Sequence, residues 1–154
     1  MEQRNHMHTA SEIAKWFLAF NRRVMEEEDS EYISNLKLQK LLYYAEGTFY
    51  AMTGRKLFNE PIVAWRHGPV VADVYHEYKA NGSAGIVFMD AFDFGNFDKE
   101  TNDILAEVYD YFGQYSAWKL RNMIHEERPW METQINQEID PELIKDFFLE
   151  EYVE

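Results

Sequence analysis

Ile13, Phe17, Phe20 and Val24 recur at three- and four-residue intervals, the spacing that stacks side chains on one face of a helix. Thr9-Ala10-Ser11-Glu12 stands just ahead of them and has the form of a capping box, in which Thr9 and Glu12 satisfy each other's free amides. A second and cleaner stripe runs through Leu38, Leu41, Leu42, Ala45, Phe49 and Met52. Asn35 is its expected N-cap and Gly54 its C-cap. Tyr43, Tyr44 and Tyr50 fall off that stripe, so this helix is apolar round much of its circumference and belongs at the centre of the fold. Between the two stripes, the acidic run from Glu26 to Glu31 reads as a solvated turn.

The period changes at Pro61-Ile62-Val63-Ala64-Trp65-Arg66, a short extended segment that Pro61 confines to an edge or a starting position. His67-Gly68-Pro69 reads as a turn, with Pro69 opening a third helix whose face carries Val71, Val74, Tyr75 and Tyr78. Asn81-Gly82 ends it. Residues 83 to 97 are rich in Gly and Phe and read as an anchored loop, with Ile86-Val87-Phe88 as a brief strand. Asp98, Ser116 and Asp140 are placed to cap three further helices, the last with Pro141 at its first position. Glu126 to Trp130 reads as a turn. The pattern therefore predicts a mostly α protein: a single compact bundle of about six helices, with a small β element near residues 61–66. One domain covers residues 1–154, with residues 1–8 as a flexible N-terminus.

Composition agrees with a packed core. Apolar residues make up 46% of the 154 and aromatics 16%. No apolar run approaches the roughly 20 residues of a membrane span, and the first residues lack the apolar stretch of a signal peptide. With no cysteine, disulfides, zinc thiolates and cysteine nucleophiles are excluded. A cytoplasmic protein is expected, with no membrane partner.

Charge is unevenly distributed. Residues 1–66 hold 9 basic and 9 acidic groups, so residues 67–154 carry the whole net charge of −13. That half repels nucleic-acid phosphate and suits a basic partner. Lys37, Lys40, Arg55 and Lys56 gather around the second helix without a recognition-helix signature, so nucleic acid is not an expected partner.

Candidate chemistry is sparse. Asp73 and His76 share a helical face and, with His67 and His125, outline a conceivable metal site for a hydrolase. The fingerprints of zinc proteases, EF-hands, P-loops and dinucleotide folds are all absent. Glu126-Glu127 reads as a solvated acidic pair. No catalytic residue, metal or cofactor is assigned. The positive signal is aromatic: four Trp, ten Tyr and eleven Phe exceed what a six-helix core easily hides. Tyr43, Tyr44, Tyr50 and Trp118 are candidates for a protein interface.

The stretch Leu36-Lys37-Leu38-Gln39-Lys40-Leu41-Leu42-Tyr43-Tyr44-Ala45-Glu46-Gly47 resembles the opening motif of the Panacea, or SocA-like, antitoxin family, which includes phage-associated GepA-type proteins. The resemblance continues through Thr53 to Phe58, Pro61 to Trp65, His67-Gly68-Pro69-Val70-Val71 and Val74 to Lys79. It resumes at Ser116 to Leu120, His125 and Pro129-Trp130. It implies a non-enzymatic helical antitoxin of a bacterial or prophage toxin–antitoxin pair, neutralising a cognate protein toxin by direct binding. A ClpXP-type protease is implied as the partner of the alternative, in which the protein is a proteolytic adaptor. A third possibility is an acidic mimic of nucleic acid. The motif positions are Leu38, Lys40, Leu41, Tyr43, Trp65, His67, Gly68, Pro69, Val70, Tyr75, His125, Pro129 and Trp130. Two roles stand open for them: building the scaffold, or touching the partner.

Overall fold

The computed structural model describes residues 7–154. The first six residues of the expected flexible N-terminus lie outside that range; His8, within it, stacks on Phe97 with ring centroids 4.1 Å apart. The described residues form seven α-helices and one two-stranded antiparallel sheet, with short 3-10 turns at Lys79–Asn81 and Phe94–Asn96. The helices are α1 (Ala10–Met25), α2 (Asn35–Thr53), α3 (Ala72–Glu77), α4 (Lys99–Phe112), α5 (Ala117–Ile124), α6 (Arg128–Met131) and α7 (Pro141–Glu151). The additional helix is α6, four residues long, within the segment read as a turn.

The caps explain most boundaries. The Thr9–Glu12 capping box opens α1, Asp98 and Ser116 cap α4 and α5, and Asp140 with Pro141 opens α7. Gly54 closes α2 in the left-handed region at φ 74°, where a glycine carries no steric penalty. One cap differs from expectation. Ser34, not Asn35, accepts the Lys37 amide and caps α2. Asn35 is the first helical residue, and its side chain reaches α3 instead.

Helix α2 is the axis. It packs against α1, α3, α4, α5, α7 and the sheet, and every residue from Leu38 to Phe49 is buried. Tyr43 and Tyr44 are therefore core residues, not interface residues. The helix is enclosed on all sides, so positions off the apolar stripe meet protein too. Tyr44 stacks on Phe112 at 3.8 Å and meets Phe148 and Tyr152 edge-on. A second aromatic cluster joins Trp16, Phe20, Phe94 and Tyr109. These clusters absorb much of the aromatic surplus; Trp118 and Tyr111 remain exposed. Met52 leaves the stripe, being 48% exposed on the last turn of α2, where no helix covers it.

The sheet pairs β1 (Val63–Trp65) with β2 (Gly68–Val70), in register Val63 to Val70, Ala64 to Pro69 and Trp65 to Gly68. Pro69 thus lies within β2 rather than opening α3, which begins at Ala72. The backbone of Val71 is held extended because its amide donates to the buried Gln39 side chain. Residues 136–139 run along the other edge of β1, where Ala64 and Ile62 exchange backbone hydrogen bonds with them. Ile86-Val87-Phe88 forms no strand; only Gly85 bridges to Ser34, and Ile86 and Phe88 serve as buried anchors.

Candidate functional site

The motif residues converge on the β1–β2 turn, and polar side chains of α2 hold it there. Lys40 is fully buried, and its Nζ donates to the His67 carbonyl at 2.8 Å. Gly68, at φ 122°, brings its backbone close over the ammonium; a Cβ there would lie 3.3 Å from Nζ. One residue earlier on the helix, Gln39 accepts from the Val71 amide at 2.9 Å and donates to Asn35 Oδ1 at 3.0 Å. Asn35 in turn donates to the Tyr75 carbonyl at 3.0 Å. Asn35, Gln39 and Lys40 thus fasten α3 and the turn to the N-terminal half of α2.

The downstream motif fastens the same turn through the backbone of Trp65 and Arg66. Trp130 donates its indole N–H to the Trp65 carbonyl at 2.8 Å. His125 and Trp130 are not hydrogen-bonded to each other; their rings stack at 4.1 Å. The Arg66 backbone is the hydrogen-bond partner of the His125 ring. Burial and the Arg121 charge hold that ring below the ordinary histidine pKa, which favours a neutral imidazole. Trp65 meets Tyr75 edge-on at 5.0 Å. Side chains from both α2 and α6 therefore donate to backbone carbonyls of the turn.

Lys40, Trp65, His67, Val70 and Tyr75 also line a cavity of about 550 Å³ beside the turn. Leu38, Leu41 and Tyr43 are not part of it; they sit at 0% exposure in the core. Pro69 and Pro129 are buried, while His67 is exposed. Lys40 lies in the cavity floor with its pKa lowered to about 7, first by burial and then by the Arg121 charge. The sequence placed Lys40 among basic residues around a helix. It is instead inside the protein.

Two features escaped the sequence reading. Asn35 was read as a cap and Gln39 only as part of a motif, yet they carry the hydrogen bonds that fix the turn. Their signal is a polar residue inside a helix that is apolar on every side. Glu127, read as half of a solvated pair, is buried at 5% exposure and accepts from Tyr43, Tyr44 and Tyr152 at 2.9, 3.0 and 2.6 Å. Burial pushes its carboxyl pKa up, and the three phenols pull it back. The candidate metal ligands do not gather: among the described residues, no three His, Asp or Glu side chains are grouped to hold a metal ion.

The family model for SocA-like antitoxins with a Panacea domain matches residues 38–131, from the start of the α2 core through Trp130 to Met131. The chain belongs to the SocA-like Panacea family. Antitoxin SocA of Caulobacter vibrioides (strain NA1000 / CB15N) is 51% identical over 55 residues, which cover 36% of this chain and 29% of that protein. The chain thus spans under a third of the length of the curated relative it matches. No solved structure matches it. Among the described residues, no helix of this Panacea protein is long and apolar enough to cross a membrane.

Proposed function

We propose that this protein is the antitoxin of a toxin–antitoxin pair and neutralises a cognate protein toxin by direct binding, without catalysis of its own. The match to SocA-like antitoxins across residues 38–131 carries the reading. The geometry supports it by giving the buried polar groups structural tasks. Lys40, Gln39 and Trp130 bind backbone groups of the turn and its flank, and Glu127 binds three phenols. For most of the motif, this arrangement favours the scaffold role over partner contact.

Co-expression with the product of the adjacent gene tests the proposal. The expected result is a product that arrests growth alone, is tolerated beside this protein, and co-purifies with it. A product that is harmless alone, or that stays toxic and unbound, refutes the reading. A proteolytic adaptor would instead require a ClpXP-type protease. Under direct neutralisation, protection persists in cells lacking that protease, and the toxin's half-life is unchanged by this protein.

A further inference from the structure

The β1–β2 turn is a place where positive charge collects without a counterion. The chain has 28 acidic residues against 15 basic ones, yet only six of the described Lys and Arg side chains find a carboxylate. Lys15, Arg55, Lys56, Lys99, Arg128 and Lys145 each form an ion pair. Among the described residues eight form none, and four of these, Lys40, Arg66, Lys79 and Arg121, lie around the turn. Lys40 uses one of its three N–H donors on the His67 carbonyl. Behind it, Arg121 Nε on α5 is buried with no hydrogen-bond partner. A buried cation without a paired charge destabilises a fold, so this protein maintains an arrangement that a bound anion would relieve.

The cavity beside the turn has the matching shape. Its volume of about 550 Å³ suits a small organic ligand. Arg66, His67 and Lys79 supply basic groups around it, with Lys40 in the floor. Trp65 and Tyr75 offer aromatic surface, and Leu36 and Ile135 are exposed apolar residues on its walls. Among the described residues, no acidic side chain lines it.

We propose that this cavity binds an organic anion, with a carboxylate or phosphate held between Arg66 and Lys79 above the buried Lys40 and an apolar body lying on Trp65 and Tyr75. A free small molecule and an acidic side chain of a bound protein present the same chemistry, and the site does not depend on the antitoxin reading. The anion would favour protonated Lys40, whose charged neighbours are cations: Arg66 and Lys79 on the cavity side and Arg121 on the α5 side, with the His67 and His125 rings adjoining. Binding should therefore be coupled to proton uptake.

Calorimetric titration of the full chain with phenyl phosphate, phenylacetate and neutral phenylacetamide tests the proposal. At least one anion should bind about 10-fold more tightly than the amide, as expected for a charge-assisted contact. Its affinity should weaken between pH 7 and 9, by up to about 10-fold per unit, and Lys40→Met should abolish it. If Lys40→Met does not fold, the double variant Arg66→Gln/Lys79→Gln, altered only on exposed side chains, decides by losing most of the affinity at an unchanged melting temperature. The peptide acetyl-Phe-Glu-Phe-amide distinguishes the sources. A peptide that binds more tightly than either small anion points to a protein partner, and the reverse order to a free ligand. The proposal is overturned if no anion binds, if the amide binds equally well, or if the charge-removing variants bind as the parent does.

Discussion

Trp130 donates its indole N–H to the carbonyl of Trp65, 65 residues earlier, at 2.8 Å. This bond ties the two separated blocks of the family motif to one turn. Trp130→Phe keeps a ring to stack on His125 and removes the donor. The expected loss is about 1–2 kcal/mol, the usual consequence of leaving a part-buried carbonyl unmatched. It is read from urea unfolding as a lower midpoint at unchanged slope.

Lys40 links stability to pH with an unusual sign. Its folded pKa of about 7 lies below the unfolded value of 10.5, so between these values the unfolded chain binds the extra proton. Stability from this residue is therefore lowest below pH 7 and rises from pH 7 to 9, by about 1 kcal/mol per unit. The buried tyrosines, whose hydroxyl pKa values are raised by burial, act oppositely only above about pH 10. Chemical denaturation of the parent should show the rise, and Lys40→Met should flatten it.

Glu127 is the common acceptor of three phenols. Glu127→Ala would leave Tyr43 and Tyr44 hydroxyls buried without a partner and open a void between α2 and α7. A loss of about 3 kcal/mol or more is expected, measured by thermal unfolding at pH 7. Glu127→Gln retains an acceptor and should lose less than half as much.

At Gly47 the Phe148 ring of α7 lies against the backbone of α2. A Cβ at this position would overlap the Phe148 ring. Gly47→Ala should destabilise by about 1–3 kcal/mol, as overpacking does, and Phe148→Leu in the same chain should recover part of the loss. A thermal melt of the single and double variants checks both.

The helical frame was legible because caps and apolar periods are local signals. Thr9–Glu12, Asp98, Ser116 and Asp140 each act within one turn of where they stand. The site was legible only in part. The resemblance marked Lys40, Trp65 and Trp130, but the burial of Lys40 depends on a turn 27 residues away, and no local spacing encodes that contact. Pro69 shows a different limit. It has the residue type of a helix start, yet hairpin pairing with Ala64, five residues earlier, holds it in a strand, and the tethers from α2 fix that hairpin. Glu127 lay in an acidic pair that looked solvated, because its three phenolic partners come from two distant helical segments.

Helix α7 supplies Phe148 and the adjoining Tyr152 to the surface of α2. During synthesis, α2 leaves the ribosome roughly ninety residues before that cover is made. Until then the sides of Tyr43 and Gly47 that meet Phe148 lack their cover, and this one face of the central helix is completed only when residues 141–152 dock.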